Sequence, residues 1–275
     1  MILMVVWLKQ KKIRSLFWQR VRNRSAVIYY FRKALIISIF TLIPGQLPLY
    51  AQTSTITFPS TDSLALTADV YMEADTLPFL VMIHEQGSSR GEFEKIAPRF
   101  QKMHFNCIAV DIRNGGNANF ISNETSRRCR NSGCDQSPES VQGDIKAAVS
   151  KAHELSGEKN VILLGSGANG SLCLKVGKEH PDVAAVIALS PGEFFRPAML
   201  MEDTLAGMQK PVFVTSTQQE YPYIEQMLSG IEDPYKTIYK PQEHEGERGT
   251  GALEPETPSN SEYWLALILF IKELM

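Results

Sequence analysis

Cysteine is scarce in this chain, with four in 275 residues. That number excludes a disulfide-dense secreted scaffold, whose small core depends on many cross-links. There is no uninterrupted apolar run of the roughly 18 residues that would span a bilayer. No internal repeat and no low-complexity tract interrupts the sequence after residue 52. Basic side chains form no stripe with interleaved aromatics, so the electrostatic footprint of a nucleic-acid binder is missing. No histidine, cysteine or carboxylate set has the spacing of a zinc site, and no metal or cofactor is expected.

Acidic residues are absent from the first 33 positions, which hold nine basic ones: Lys9, Lys11, Lys12, Arg14, Arg20, Arg22, Arg24, Arg32 and Lys33. The apolar run Ala34 to Ile43 follows, then PGQLPLYAQ. A basic flank, a short apolar stretch and a small residue at Ala51 describe a secretory signal peptide cleaved after Ala51. The expected product is a periplasmic or secreted protein that meets the membrane only through its export segment, with residues 52–275 forming one domain. The whole chain carries a formal charge of −2, and the leader contributes +9, so the remainder carries −11. An acidic surface repels phosphate backbones, and nucleic-acid binding is not expected.

In an oxidising compartment Cys129 and Cys134, within the polar run RRCRNSGCDQS, are candidates for a local disulfide. That run reads as a long loop. Cys107 and Cys173 lie among apolar residues and read as core fillers. Asn123-Glu124-Thr125 matches a glycosylation acceptor.

From residue 53 onward two patterns alternate. TITFP and LALTADVY show period-two alternation around the turn STDS and predict an antiparallel hairpin. Short, almost continuously apolar runs at 79–84, 106–112, 161–165, 183–190 and 211–216, with a weaker one at 237–241, suit strands buried on both faces. Helical periodicity appears at 92–103, 141–155, 170–179, 221–230 and 262–274. The expectation is an α/β fold: about eight strands, mostly parallel, with helices on both faces and no large cap domain. Open parallel sheets bind ligands beyond the carboxyl ends of their strands, which directs attention to the loops at 84–92, 111–116, 165–170, 190–195, 216–221 and 244–253.

VILLGSGANGSLCLKVG reads as strand, tight glycine turn, helix. Taken alone, Gly165-x-Gly167-x-x-Gly170 matches a dinucleotide fingerprint. The strand that follows ends in Ser190 rather than the carboxylate that would hold a ribose, and an exported protein meets little nicotinamide cofactor, so this reading is remote.

The neighbouring loops point elsewhere. His84 with Gly87-Ser88-Ser89-Arg90-Gly91-Glu92, then Asp111, Arg113, Gly115 and Gly116, then Ser190-Pro191-Gly192, occur in the order seen in bacterial hydrolases. Across residues 53–274 the chain resembles the dienelactone-hydrolase-like group of the α/β-hydrolase superfamily. The resemblance implies an α/β-hydrolase fold with the 165–170 turn as its nucleophile elbow. It also implies that the triad is degenerate. Gly167 stands at the nucleophile and has no side chain with which to attack a carbonyl. Arg248 stands at the histidine and stays protonated. Gln219, neutral, stands near the acid.

Two readings of function follow. In the first, the chain is an exported pseudo-hydrolase, inactive or strongly impaired, whose old active site (Glu85, Gln86, Gly167, Ala168 and Arg248) binds a small anionic ligand. The alternative is an active serine ester hydrolase in which Ser166, His244 and Glu220 rescue the triad. Arg90, Glu92, Asp111 and Arg113 are expected to form one ion-pair network holding two loops.

Overall fold

The computed structural model describes residues 52–274. The proposed leader and its cleavage site fall outside the described residues. The described residues form ten strands: β1 (Gln52–Pro59), β2 (Ala65–Met72), β3 (Phe79–Ile83), β4 (Asn106–Asp111), the two-residue β5 (Asn117–Ala118) and β6 (Ile121–Ser122), β7 (Val161–Ser166), β8 (Val183–Leu189), β9 (Val212–Thr215) and β10 (Lys236–Tyr239). The helices are α1 (Ala97–Gln101), α2 (Glu124–Ser132), α3 (Pro138–Leu155), α4 (Gly167–Glu179), α5 (Met201–Leu205), α6 (Tyr221–Met227) and α7 (Asn260–Leu274).

Eight strands form one sheet in the order β1-β2-β4-β3-β7-β8-β9-β10. The β1–β2 and β2–β4 pairs are antiparallel, and every other pair is parallel. This is the architecture expected from the alternating patterns. The apolar runs are strands because each side chain finds a helix layer on its own side. Leu163 enters a core with Val149 of α3 and Leu172 of α4, whereas its neighbours Ile162 and Leu164 enter a second core with Phe100 of α1 and Trp264 of α7. Each fully buried large apolar side chain contributes roughly 1.5–3 kcal/mol over exposure. Among the described residues no helix is long and apolar enough to cross a membrane.

Two local expectations are corrected. The polar run around the cysteines is helical in α2 rather than a loop. Asn123 accepts the Ser126 N–H at 2.7 Å as N-cap, and Gly133 closes the helix in the left-handed conformation at φ 66°. Caps at both ends hold a helix that buries only Thr125, Ser126 and Cys129. Asn123 is itself buried, with its amide donated to Ile112 O at 3.0 Å and against His84 Nε2 at 2.9 Å, so it is closed to glycosylation. The ion-pair network is also two networks. Arg90 pairs with Asp69 and Asp111, while the fully buried Arg113 pairs with Asp62 and Asp144. Glu92 belongs to neither.

Candidate active site

The chain turns from β7 into α4 between Ser166 and Gly167, and Gly167 takes φ +55°. That left-handed conformation favours glycine. A Cβ on Gly165 would stand 2.9 Å from the Gly170 Cα, so bare backbone at both positions lets strand and helix meet closely. The glycine pattern thus serves a strand-to-helix elbow. The adjacent β8 ends at Leu189 and is followed by Ser190, with no carboxylate in the place a ribose would need.

The space above the elbow is taken by Glu85, which follows β3 by two residues. A Cβ built on Gly167 would lie 2.5 Å from Glu85 Cδ and 2.8 Å from its Cγ. Opposite, Gly249 has φ +56°, and a Cβ there would lie 3.3 Å from Glu85 Oε2. Two left-handed glycines, 82 residues apart, therefore cradle one carboxyl group. No donor among the described residues hydrogen-bonds that carboxylate. Burial pushes its pKa above the usual carboxylate value, the Glu92 charge adds to the shift, Arg248 opposes it and Glu220 adds again.

The base of Glu85 is held firmly. Its N–H donates to Glu92 Oε2 at 3.0 Å, and Thr250 Oγ1 donates to the other Glu92 oxygen at 2.9 Å. Glu92 thus ties the early loop to the late one. The Glu85 carbonyl meets His84 Nδ1 at 2.7 Å, and His84 Nε2 accepts the Ile112 N–H at 3.1 Å, which sets a neutral ring with its proton on Nδ1. The Glu85 N–H is therefore already engaged and is not offered to an incoming anion. Gln86 is exposed beside it. At the start of α4 the first N–H groups, including that of Ala168, have no intrahelical acceptor, and no side chain caps them.

Arg248 is exposed over half its surface and its Nε bonds Glu220 Oε1. The other Glu220 oxygen accepts from Ser190 Oγ at 2.9 Å and Thr217 N at 3.0 Å, and Ser190 Oγ accepts the Gly249 N–H at 3.0 Å. Glu220 is thus the hub joining three loops. Its pairing uses much of the positive charge that Arg248 was expected to offer an anionic ligand. Gln219 is exposed and lines a cleft of about 480 Å³ with Glu220, Tyr223 and Arg248. A second cleft of about 520 Å³ shares Glu220 and Tyr223 and continues along Phe194 and Arg196.

The rescue triad is not assembled by hydrogen bonds. Ser166 is fully buried, its Oγ has no partner among the described residues, and it faces Gly249 rather than a cleft. His244 is exposed and lies with Glu243 and Glu262, ligand atoms within 4.8 Å of one another. Glu220 is committed to Arg248 and Ser190. Apart from the elbow, Cys129 and Cys134 are disulfide-bonded with Cα atoms 4.9 Å apart. Sequence reasoning missed Ser190 and Gly249 as site residues. The left-handed backbone at Ser190, φ +50°, has no signature in its residue type.

No family model matches the chain, and no curated protein matches it in sequence. Solved structures do match in shape. An esterase of Pyrococcus furiosus superposes with TM-score 0.59 at 13% identity, covering 81% of this chain and 92% of that one. A dienelactone hydrolase from Anabaena variabilis gives TM-score 0.58 at 16% identity, covering 80% and 96%. A dienelactone hydrolase-like promiscuous phosphotriesterase from metagenomic libraries gives 0.57 at 12%, covering 81% and 98%. With the strand order, the elbow and the layered helices, these matches establish the chain as a protein of the α/β-hydrolase fold, on the frame used by dienelactone-hydrolase-like esterases.

Proposed function

We propose that this chain takes carboxylic esters or closely related acyl compounds at its strand-end site and hydrolyses them without a serine nucleophile at the elbow. The observation that carries this reading is the juxtaposition, at one elbow, of uncapped helix N–H groups with a half-buried, unpartnered carboxylate. The N–H groups suit a developing oxyanion, and the carboxylate is the kind of perturbed group that clusters at reactive sites. The solved structures of like shape, named as esterases and a dienelactone hydrolase, support the substrate class. The second reading is a pseudo-hydrolase that binds a small ligand and turns nothing over, favoured by the bare Gly167 and by the engagement of Arg248.

Purified protein assayed on phenyl acetate and p-nitrophenyl butyrate, beside a fluorophosphonate probe, separates the readings. Turnover without labelling supports the first. Labelling abolished by Ser166→Ala would return the reaction to a serine mechanism through Ser166. Saturable binding without turnover favours the pseudo-hydrolase.

We also propose export to the periplasm or medium, supported by the basic-then-apolar leader and by a disulfide that suits an oxidising compartment. The test is N-terminal sequencing of the chain recovered from the periplasm of a Gram-negative host; a start at Gln52 is expected, and recovery of intact chain in the cytoplasm would overturn it.

A further inference from the structure

We propose that Glu85, whose carboxyl group stands where a nucleophilic side chain would otherwise begin, is the general base of this site and activates a water molecule that contacts its carboxylate. The inference rests on the ester-hydrolase reading above and names the group that makes it work.

Three independent features converge on this carboxylate. Its placement is built, since Gly167 and Gly249 both adopt left-handed backbone and both lack the Cβ that would collide with it or crowd it. Its root is fixed at two points, by the Glu92 carboxylate on its N–H and by the His84 ring on its carbonyl. Its oxygens have no donor among the described residues and remain open to solvent, beside the fully buried Ser166 hydroxyl, which has no partner. The carboxylates with a structural role nearby are each tied to a protein donor, Glu92 to Thr250, Asp111 to Arg90 and Asp144 to Arg113. This one is positioned with care and left open.

The charged groups around it agree with the role. Glu92 on the early loop and Glu220 at the start of α6 are like charges, Arg248 on the late loop is the opposing one, and His84 beneath is neutral. The balance raises the proton affinity of Glu85. A base with higher proton affinity is a stronger base, provided it remains ionised at the working pH.

The chemistry balances without any further reactant. Water between Glu85 and the acyl carbon gives a proton to the carboxylate while its oxygen bonds to carbon. The carbonyl π pair moves to oxygen, which faces the N–H groups that open α4. Collapse re-forms the carbonyl and breaks the bond to the leaving oxygen. That oxygen takes the proton from Glu85, and acid and alcohol depart with the carboxylate restored.

The test compares the full chain with Glu85→Gln, which keeps size and shape, and with Glu85→Asp, which keeps charge and shortens reach. With phenyl acetate, Glu85→Gln is expected to lose on the order of 10²-fold or more in kcat, the scale of general-base catalysis, and to lose the acidic limb of the kcat/KM pH profile. Glu85→Asp should retain part of the rate and keep that limb. A single turnover in ¹⁸O-water should place the label in the product acid. Wild-type kcat in a folded Glu85→Gln variant would overturn the proposal while leaving the ester reading standing. Enzyme oxygen in the first-turnover product would replace the base with a carboxylate nucleophile and overturn it too. Failure of the parent to hydrolyse any ester tested would overturn both.

Discussion

A Cβ at position 167 would sit 2.5 Å from Cδ of Glu85, so the side chain of one residue fills the place where the other's would begin. The two positions are coupled through a single small volume. Placing a serine at the elbow is therefore not a one-residue operation.

Gly167→Ser should destabilise the protein by roughly 2–4 kcal/mol, combining left-handed strain with overpacking against the carboxylate. In the background of Glu85→Ala the same substitution should cost about 1–2 kcal/mol less, the scale expected for residues in direct contact. A double-mutant cycle by urea unfolding measures this. Strict additivity would mean that Glu85 does not occupy the space above the elbow.

Stability near Glu85 depends on pH in a defined direction. The folded state holds the Glu85 proton more tightly than the unfolded chain, because burial and Glu92 raise its pKa. The contribution of this group is complete below the ordinary carboxylate pKa and is lost as pH rises through the raised folded value. Glu85→Gln, which does not ionise, should melt higher than the parent at neutral pH, and the gain should vanish towards about pH 4. Melting curves of both proteins across that range check it; a gain independent of pH would assign the effect to something other than ionisation.

Arg113 anchors the other side of β4. It is fully buried, and Asp144, also fully buried, accepts from its Nε at 2.9 Å and its Nη2 at 2.7 Å. Asp144→Ala leaves that guanidinium in the interior with only Asp62, Ser60 and a carbonyl, and should cost about 3–5 kcal/mol. Replacing both residues by apolar ones of similar volume should recover much of the loss. Urea denaturation of the single and double variants tests the pair.

The Cys129–Cys134 bridge closes a short loop at the end of α2. Removing it with a Cys129→Ser, Cys134→Ser double substitution should cost about 2 kcal/mol on the loop-entropy model. Non-reducing mass analysis before and after dithiothreitol gives the covalent state, and thermal melts give the energy. The free thiols of Cys107 and Cys173 should react only on unfolding, since both are buried.

The parallel sheet was legible because each strand announces itself as a short apolar run, and the elbow because glycine is required on both sides of it. Helix α2 was not, since its burial is confined to Thr125, Ser126 and Cys129 and its boundaries lie in Asn123 and Gly133 rather than in any apolar stripe. The pairing of Arg248 is an instructive miss. Sequence alone leaves Arg248 free for an anionic ligand, but Glu220 takes it because that carboxylate starts α6 at a neighbouring strand end. The location of the Glu85 carboxylate was illegible for a similar reason, being set by two glycines far away in the chain.

The cradle formed by Gly167 and Gly249 also constrains the lineage that carries it. A serine arriving at 167 while Glu85 remains is met by an occupied space, so the intermediate is less stable and gains no chemistry. Losing Glu85 first empties the elbow and leaves an uncapped helix start with nothing above it. Each route to a hydroxyl nucleophile at this position passes through a chain worse than its parent. Selection acting one substitution at a time will therefore refine the carboxylate site more readily than it will install a hydroxyl at this turn.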